Sequence, residues 1–221
     1  MHIGIILDGN RRWAKRQGWK PWQGHEKGFD KLDNLFDWLL ELDIFELSLY
    51  CFSIQNFDRP EIEKKFLFDR FRLEAKKLLE DKRIYDNKVK IRFAGRLEMF
   101  PSDMQELMKQ VMEKTASHDK YIVNFAMAYG GREEIVDGVK KLVASGEAVN
   151  KDNIQKNMWV PEDMDVVIRT SGEFRTSGFF PWQAHYAEFF FLEKCWPEFE
   201  KEDLIRIVEE FKAKRERRFG K

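Results

Sequence analysis

Six apolar runs of strand length punctuate the chain, at residues 2–7, 46–52, 89–94, 121–127, 164–168 and 187–192. Most are near-continuous rather than alternating, the pattern of strands covered on both faces. Between them lie stretches with helical spacing. Phe29, Leu32, Phe36 and Leu39 share one face of a predicted helix over 26–43, and Ile62, Phe66, Phe71, Ala75 and Leu78 share another. Met104, Leu107, Met108, Val111 and Met112 follow the helix-opening Pro101. A further helix is predicted over 131–143, and a last one over 201–217 with Leu204, Ile205, Val208 and Phe211 inward. Strand alternating with helix predicts an α/β fold, a mostly parallel six-stranded sheet flanked by helices.

No Pro-, Gly- or Ser-rich linker divides the 221 residues, so a single domain over 1–221 is expected. Thirty-nine basic residues balance thirty-nine acidic ones. Overall charge therefore makes no case for a nucleic-acid or membrane partner, and affinity for anions must come from local clusters. Cys51 and Cys195 lack metal-ligand spacing and read as buried thiols. No apolar stretch reaches the roughly 18 residues that span a bilayer, and the chain leads straight into a strand; a cytoplasmic protein is expected. Twenty Phe, seven Trp and eight Met fit an aromatic core or, more sharply, an apolar cavity.

Two segments carry the candidate chemistry. Asp8-Gly9-Asn10-Arg11-Arg12-Trp13 follows the first apolar run, and Arg169-Thr170-Ser171-Gly172-Glu173-Phe174-Arg175-Thr176-Ser177 follows the fifth. In the first, Gly9 admits an anion close to the backbone, following N–H groups point at it, and Arg11 or Arg12 adds charge-assisted hydrogen bonds. Asp8 suits a hard divalent cation such as Mg2+; the same residues would also serve as a helix cap with two solvated arginines. His25, after Gly24, could donate to a phosphate. Neither a Walker spacing nor a dinucleotide fingerprint is present. In the second, Arg169, Arg175 and Ser177 offer three phosphate donors, unless the arginines pair with Glu173 and Asp165. Glu188 opens the sixth run and is a candidate second metal ligand beside Asp8, or a strand-edge acid meeting an arginine.

Taken together, the motifs resemble the cis-prenyltransferases of the undecaprenyl diphosphate synthase family. The resemblance spans nearly the whole chain: Ile6 through Lys15, Gly24-His25, Phe52-Ser53-Ile54-Gln55-Asn56-Phe57-Asp58-Arg59-Pro60, Tyr129-Gly130-Gly131-Arg132, Ile168 through Gln183, Trp196-Pro197-Glu198-Phe199, and the terminal Arg215 to Gly220. It implies a homodimer whose sheet and helices enclose a hydrophobic tunnel. It also implies Mg2+-dependent condensation of isopentenyl diphosphate with an allylic prenyl diphosphate in cis geometry. By that resemblance Asp8 assists diphosphate departure and shares the metal with Glu188. Gly9, Asn10, Arg11, Arg12, Trp13, His25, Phe57 and Arg59 hold the allylic substrate, while Arg169, Arg175, Thr176 and Ser177 hold isopentenyl diphosphate. Ser53 and Asn56 stand near the proton lost after coupling. Phe66, Phe68, Phe71, Ile91 and Phe93 would line the tunnel and limit product length.

The chain departs from the family pattern at several places. Pro21 stands where an arginine is usual, Gln55 where a glutamate is usual, Gly178 where an asparagine follows the serine, and Ala128 where an asparagine precedes the tyrosine. An altered, short or non-standard product is one consequence. A noncatalytic prenyl-diphosphate-binding partner subunit is the alternative.

Overall fold

Near-continuous apolar runs become strands that bury both faces. In the computed structural model, which describes residues 1–218 and side chains through 215, β1 (His2–Ile6), β2 (Glu46–Ser53), β3 (Val89–Ala94), β4 (Tyr121–Tyr129), β5 (Val166–Arg169) and β6 (Glu188–Phe191) form one sheet. Its order is β3-β4-β2-β1-β5-β6. All five pairings are parallel. β1 and β4 are buried throughout, as their lack of polar alternation requires.

The helices are α1 (Asn10–Arg16), α2 (Gln23–Glu41), α3 (Glu61–Leu78), α4 (Lys82–Asp86), α5 (Ser102–Lys114), α6 (Gly131–Ser145), α7 (Lys151–Lys156) and α8 (Lys201–Arg218). One core, including Leu35 and Leu39 of α2, Leu67 and Leu78 of α3, and Met104 and Met108 of α5, lies on one side of the sheet. A smaller one around Tyr129, Phe179 and Phe180 lies with the segment that carries Gln183 and Ala184.

Two helical faces differ from the sequence expectation. In α8 the inward residues are Leu204, Ile207, Val208 and Phe211, and Ile205 is only half-buried. In α3, Ile62 is 61% exposed and Glu63 takes the inward position, 3% exposed, on the stripe that continues through Leu67, Phe71, Ala75 and Leu78. The i, i+4 spacing from 63 defines that stripe better than the spacing from 62. Residues 219–221, the end of the basic tail, lie outside the described residues.

Because the chain passes from β1 to β2 on one side and later crosses to β5 on the other, β1 is the place where the winding reverses. Ligands of open α/β sheets bind beyond the carboxyl ends of strands at such a point. Asp8 follows β1 there, and Arg169 ends β5 directly beside it in the register Ile6 to Arg169.

Candidate active site

A chamber of about 470 Å3 opens at this end of the sheet, lined by Asp8, Asn10, His25, Arg59, Arg169 and Ser177 together with Tyr50, Ser53, Gln55 and Asn56. The turn into α1 is built on Gly9, whose φ of 101° is left-handed; a Cβ there would stand 2.7 Å from Cys195 Sγ and 2.8 Å from Ser171 Cβ. Gly24 lets α2 approach α1: a Cβ at that position would lie 2.0 Å from the Asn10 carbonyl oxygen. Both glycines thus hold the start of α1 against its neighbours.

Arg11 and Arg12 point to different neighbours, as a rotation of roughly 100° per residue requires, and Arg12 lines a separate hollow with Lys15, Arg16, Ser171, Glu193 and Cys195. Arg12 turns toward the second segment, donating to the Ser171 carbonyl at 2.8 Å and to its hydroxyl at 2.5 Å. It also pairs with Glu173 at 3.2 Å and reaches Asp8 Oδ2 at 3.5 Å. Arg169, 4% exposed, donates to Asp8 Oδ2 and to Ser177 Oγ, each at 2.8 Å, and to the Arg175 carbonyl. Burial alone would raise the Asp8 carboxyl, but the Arg169 and Gly9 hydrogen bonds and the nearby Arg12 charge outweigh it and hold Asp8 below its ordinary value. Arg169 Nε and Asn10 Oδ1 are buried without a hydrogen-bond partner among the described residues.

Arg11 faces the other way. Its Nε lies 3.8 Å from Glu63 Oε1, the same oxygen that accepts from Arg59 Nη1 at 2.6 Å and lies 3.2 Å from His25 Nε2. The His25 hydrogen bond, with the Arg59 and Arg11 charges, overrides burial and pulls Glu63 from 4.5 to about 2. Burial lowers the His25 imidazole, and the Glu63 contact only partly offsets it. Glu63 was not a candidate in the sequence because the stripe was assigned from Ile62.

Ser53 and Asn56 sit at the start of a short 3-10 turn, Ile54–Asp58, where the Ser53 N–H donates to Asn56 Oδ1 at 3.0 Å. Tyr50, also absent from the sequence candidates, donates to the Ser177 carbonyl at 3.3 Å and stacks on Phe179. Burial pushes its phenol up to about 12, against the smaller effect of a hydrogen bond with Ser53.

From the chamber an apolar channel runs under the sheet. Phe29, Leu32, Cys51 and Phe71 line both spaces; beyond them the channel narrows to about 60 Å3 among Phe36, Phe93, Met104, Met108 and Phe125. Phe71 and Phe93 therefore lie on the channel as expected. Phe66, Phe68 and Ile91 do not: Phe68 packs with Phe52, Phe57 and Phe100, and Ile91 is 1% exposed in the core.

Other expected site residues stand apart from the chamber wall. Phe57 packs edge-on against Phe52 with centroids 5.0 Å apart, and Trp13 packs against Trp19 at 5.4 Å. Arg175 is largely exposed and pairs with Glu173 at 2.5 Å; Thr176 accepts from the Phe179 N–H through its carbonyl. Glu188 requires a correction. It opens β6 opposite Val166, whereas Asp8 lies beyond the pair Arg169 and Phe191 at the other end of the sheet. Three strand residues, roughly 10 Å, and two interstrand spacings of roughly 4.8 Å separate the two ends. The Glu188 carboxylate instead lies 4.0 Å from Lys214 Nζ, so within one chain it is not a second ligand to a metal at Asp8. No group of three or more His, Cys, Asp or Glu side chains with metal-binding geometry occurs among the described residues.

A chamber lined by His25, Arg59, Arg169 and Ser177, with an apolar channel leading away, suits an anionic substrate that carries an apolar group. The family described as "Putative undecaprenyl diphosphate synthase" matches residues 6–220, and the chain belongs to it. An isoprenyl transferase of Thermus thermophilus is 41% identical over the whole of this chain and 88% of its own length. A tritrans,polycis-undecaprenyl-diphosphate synthase (geranylgeranyl-diphosphate specific) of Pyrococcus abyssi is also 41% identical, over the whole of this chain and 86% of its own. The crystal structure of lavandulyl diphosphate synthase from Lavandula x intermedia, in complex with dimethylallyl diphosphate, superposes with a TM-score of 0.85 at 28% identity, covering 95% of this chain and 94% of that one. The protein is thus a cis-prenyltransferase, and a noncatalytic role is not favoured. No helix among the described residues is long and apolar enough to cross a membrane.

Proposed function

We propose that the chamber condenses an allylic prenyl diphosphate with isopentenyl diphosphate in cis geometry. The observation that carries the reading is the division of anion-binding side chains by α1: Arg11, His25 and Arg59 gather on Glu63, while Arg12, Arg169 and Ser177 gather on the other side together with Asp8. The first group, with the Gly9 and Asn10 backbone, holds the allylic diphosphate; the second holds isopentenyl diphosphate, with Arg175 and Thr176 at its rim, and Arg12 joins it rather than the allylic group implied by the resemblance because it bonds Ser171 and pairs with Glu173. Asp8 is ionised and a third exposed, which suits it to Mg2+, an ion that takes one or two carboxylates and completes its shell with phosphate oxygens and water. When bound, the ion would neutralise diphosphate charge.

The remaining chemistry falls to the chain. Fixed arginines stabilise the negative charge that develops as the allylic carbon–oxygen bond breaks, and holding both substrates in one chamber makes coupling effectively unimolecular. Ser53 and Asn56, tied together at the chamber wall, are assigned in this reading to the removal of the proton released after coupling. The narrow channel beyond Phe29 and Phe71 supports a short product unless that neck opens. The edge strand β6 carries Phe189, 38% exposed and stacked on Phe191, which in turn packs against Phe174, 72% exposed, an apolar edge suited to a second copy of the chain.

Steady-state kinetics test the division of sites. Arg59→Ala raises KM for the allylic substrate, and Arg12→Ala raises KM for isopentenyl diphosphate, each by about tenfold, as the loss of one charge-assisted contact requires. Equal effects of both variants on both substrates would refute it.

A further inference from the structure

Glu63 belongs to the same chamber but has no place in the division of substrates just drawn. It is the buried carboxylate on which two guanidinium groups and an imidazole of one cluster converge: a single oxygen meets Arg59, His25 and Arg11 at 2.6, 3.2 and 3.8 Å. Burial decides between two roles for such a group. A carboxylate that occupied the anion position itself would face the chamber and compete with a diphosphate. Glu63 does not: its side chain is 4% exposed, while Arg59 is 24% and Arg11 52% exposed, and His25 and Arg59 line the chamber whereas Glu63 does not. Arg59 and His25 therefore stand between Glu63 and the open space.

We propose that Glu63 is a positioning residue, which holds Arg59 and His25 from behind so that their remaining donors point at the allylic diphosphate; this rests on the substrate assignment above. The imidazole shows how. Nε2 faces both Glu63 and Arg59, so one side of the ring is spent on the cluster and Nδ1 is left to the substrate. A proton on His25 lets Nε2 donate to Glu63 while Nδ1 donates to a phosphate oxygen. Without Glu63, burial and the Arg59 and Arg11 charges all oppose that proton. These three groups are the charged neighbours that bear on the ring: Arg11 from α1, Glu63 from α3, and Arg59, which closes the 3-10 turn ahead of α3. Placement on α3 adds rigidity, since Glu63 lies in its first turn and its backbone N–H bonds to the Pro60 carbonyl.

The test is calorimetric titration of the full chain with dimethylallyl or geranylgeranyl diphosphate alone, together with steady-state kinetics. Glu63→Ala is expected to weaken allylic diphosphate binding about tenfold or more, with KM for isopentenyl diphosphate within about twofold. Glu63→Gln, which keeps an acceptor for Arg59, recovers part of the loss. Proton uptake on binding, read from titrations in buffers of different ionisation enthalpy at pH 7, falls in both variants. In an Arg59→Ala background, removing Glu63 costs less than it does alone. Should Glu63→Ala prove unfolded, Glu63→Gln carries the proton-uptake test. Unchanged allylic affinity and proton uptake in a folded variant, or equal losses for both substrates, would overturn the proposal. A wild-type protein that binds neither allylic diphosphate would instead overturn the substrate assignment.

Discussion

Replacing Glu63 by Gln gives a stability effect whose sign and size follow from the structure. Glu63 is held at about 2 against an ordinary 4.5. A difference of about 2.5 at about 1.36 kcal/mol each sets a ceiling of about 3.4 kcal/mol. Arg11 is half exposed and Arg59 reaches the chamber, so water screens part of that interaction, and roughly 2 kcal/mol is the expected loss at pH 7. Because the folded value is depressed, the stabilisation is fully present above about 4.5 and is lost as pH falls through about 2. For a chain of this length, roughly 2 kcal/mol corresponds to about 4–8 °C in Tm. Thermal unfolding of wild type and Glu63→Gln, followed by circular dichroism from pH 7 to pH 3, should show a constant gap down to about pH 5 and a shrinking one below it. Equal stability at pH 7, or a gap that widens on acidification, would refute the reasoning.

Three further outcomes follow from other parts of the fold. Gly9→Ala meets both a left-handed φ and contacts below 3 Å, so it should cost about 2 kcal/mol or more and reduce kcat/KM at least tenfold, read by urea denaturation and kinetics. Phe71→Ala widens the neck between chamber and channel and should lengthen the products, resolved by reversed-phase chromatography; an unchanged length distribution would remove Phe71 from that role. Glu46, 1% exposed, is raised to about 7 by burial and by the Glu162 charge, so the folded protein keeps a proton the unfolded chain releases and stability falls as pH rises from about 4.5 to about 7. Glu46→Gln should flatten that slope in chemical denaturation.

Much of this arrangement was legible in the sequence because it rests on apolar runs and on loops that immediately follow them. Residues 89–94 form a strand with the expected bounds, and the other five strands differ by one or two residues at their ends. Asp8 and Arg169 meet because each ends its apolar run and the parallel register aligns those ends. What escaped depended on rotation and register. Shifting the α3 stripe by one residue exchanges exposed Ile62 for buried Glu63 and hides the residue that joins Arg11, His25 and Arg59. Glu188 is likewise a matter of register, since a carboxylate at the start of a parallel strand lies at the end opposite a loop that leaves one. The aromatic surplus suggested a lined cavity, yet Phe57 and Phe68 pack on Phe52 and Phe100 while Phe29, Phe36 and Phe125 line the channel. Composition counts such rings without giving them a direction.

The most direct measurement is product analysis. Wild type is incubated with Mg2+, labelled isopentenyl diphosphate and, in turn, dimethylallyl, farnesyl or geranylgeranyl diphosphate, beside an Asp8→Ala control whose folding is verified. The account predicts that wild type extends at least one primer with a cis double bond, and that Asp8→Ala loses at least a hundredfold in rate, the order expected when charge stabilisation at a reacting centre is removed. No labelled product with any primer, or full activity in Asp8→Ala, would contradict it.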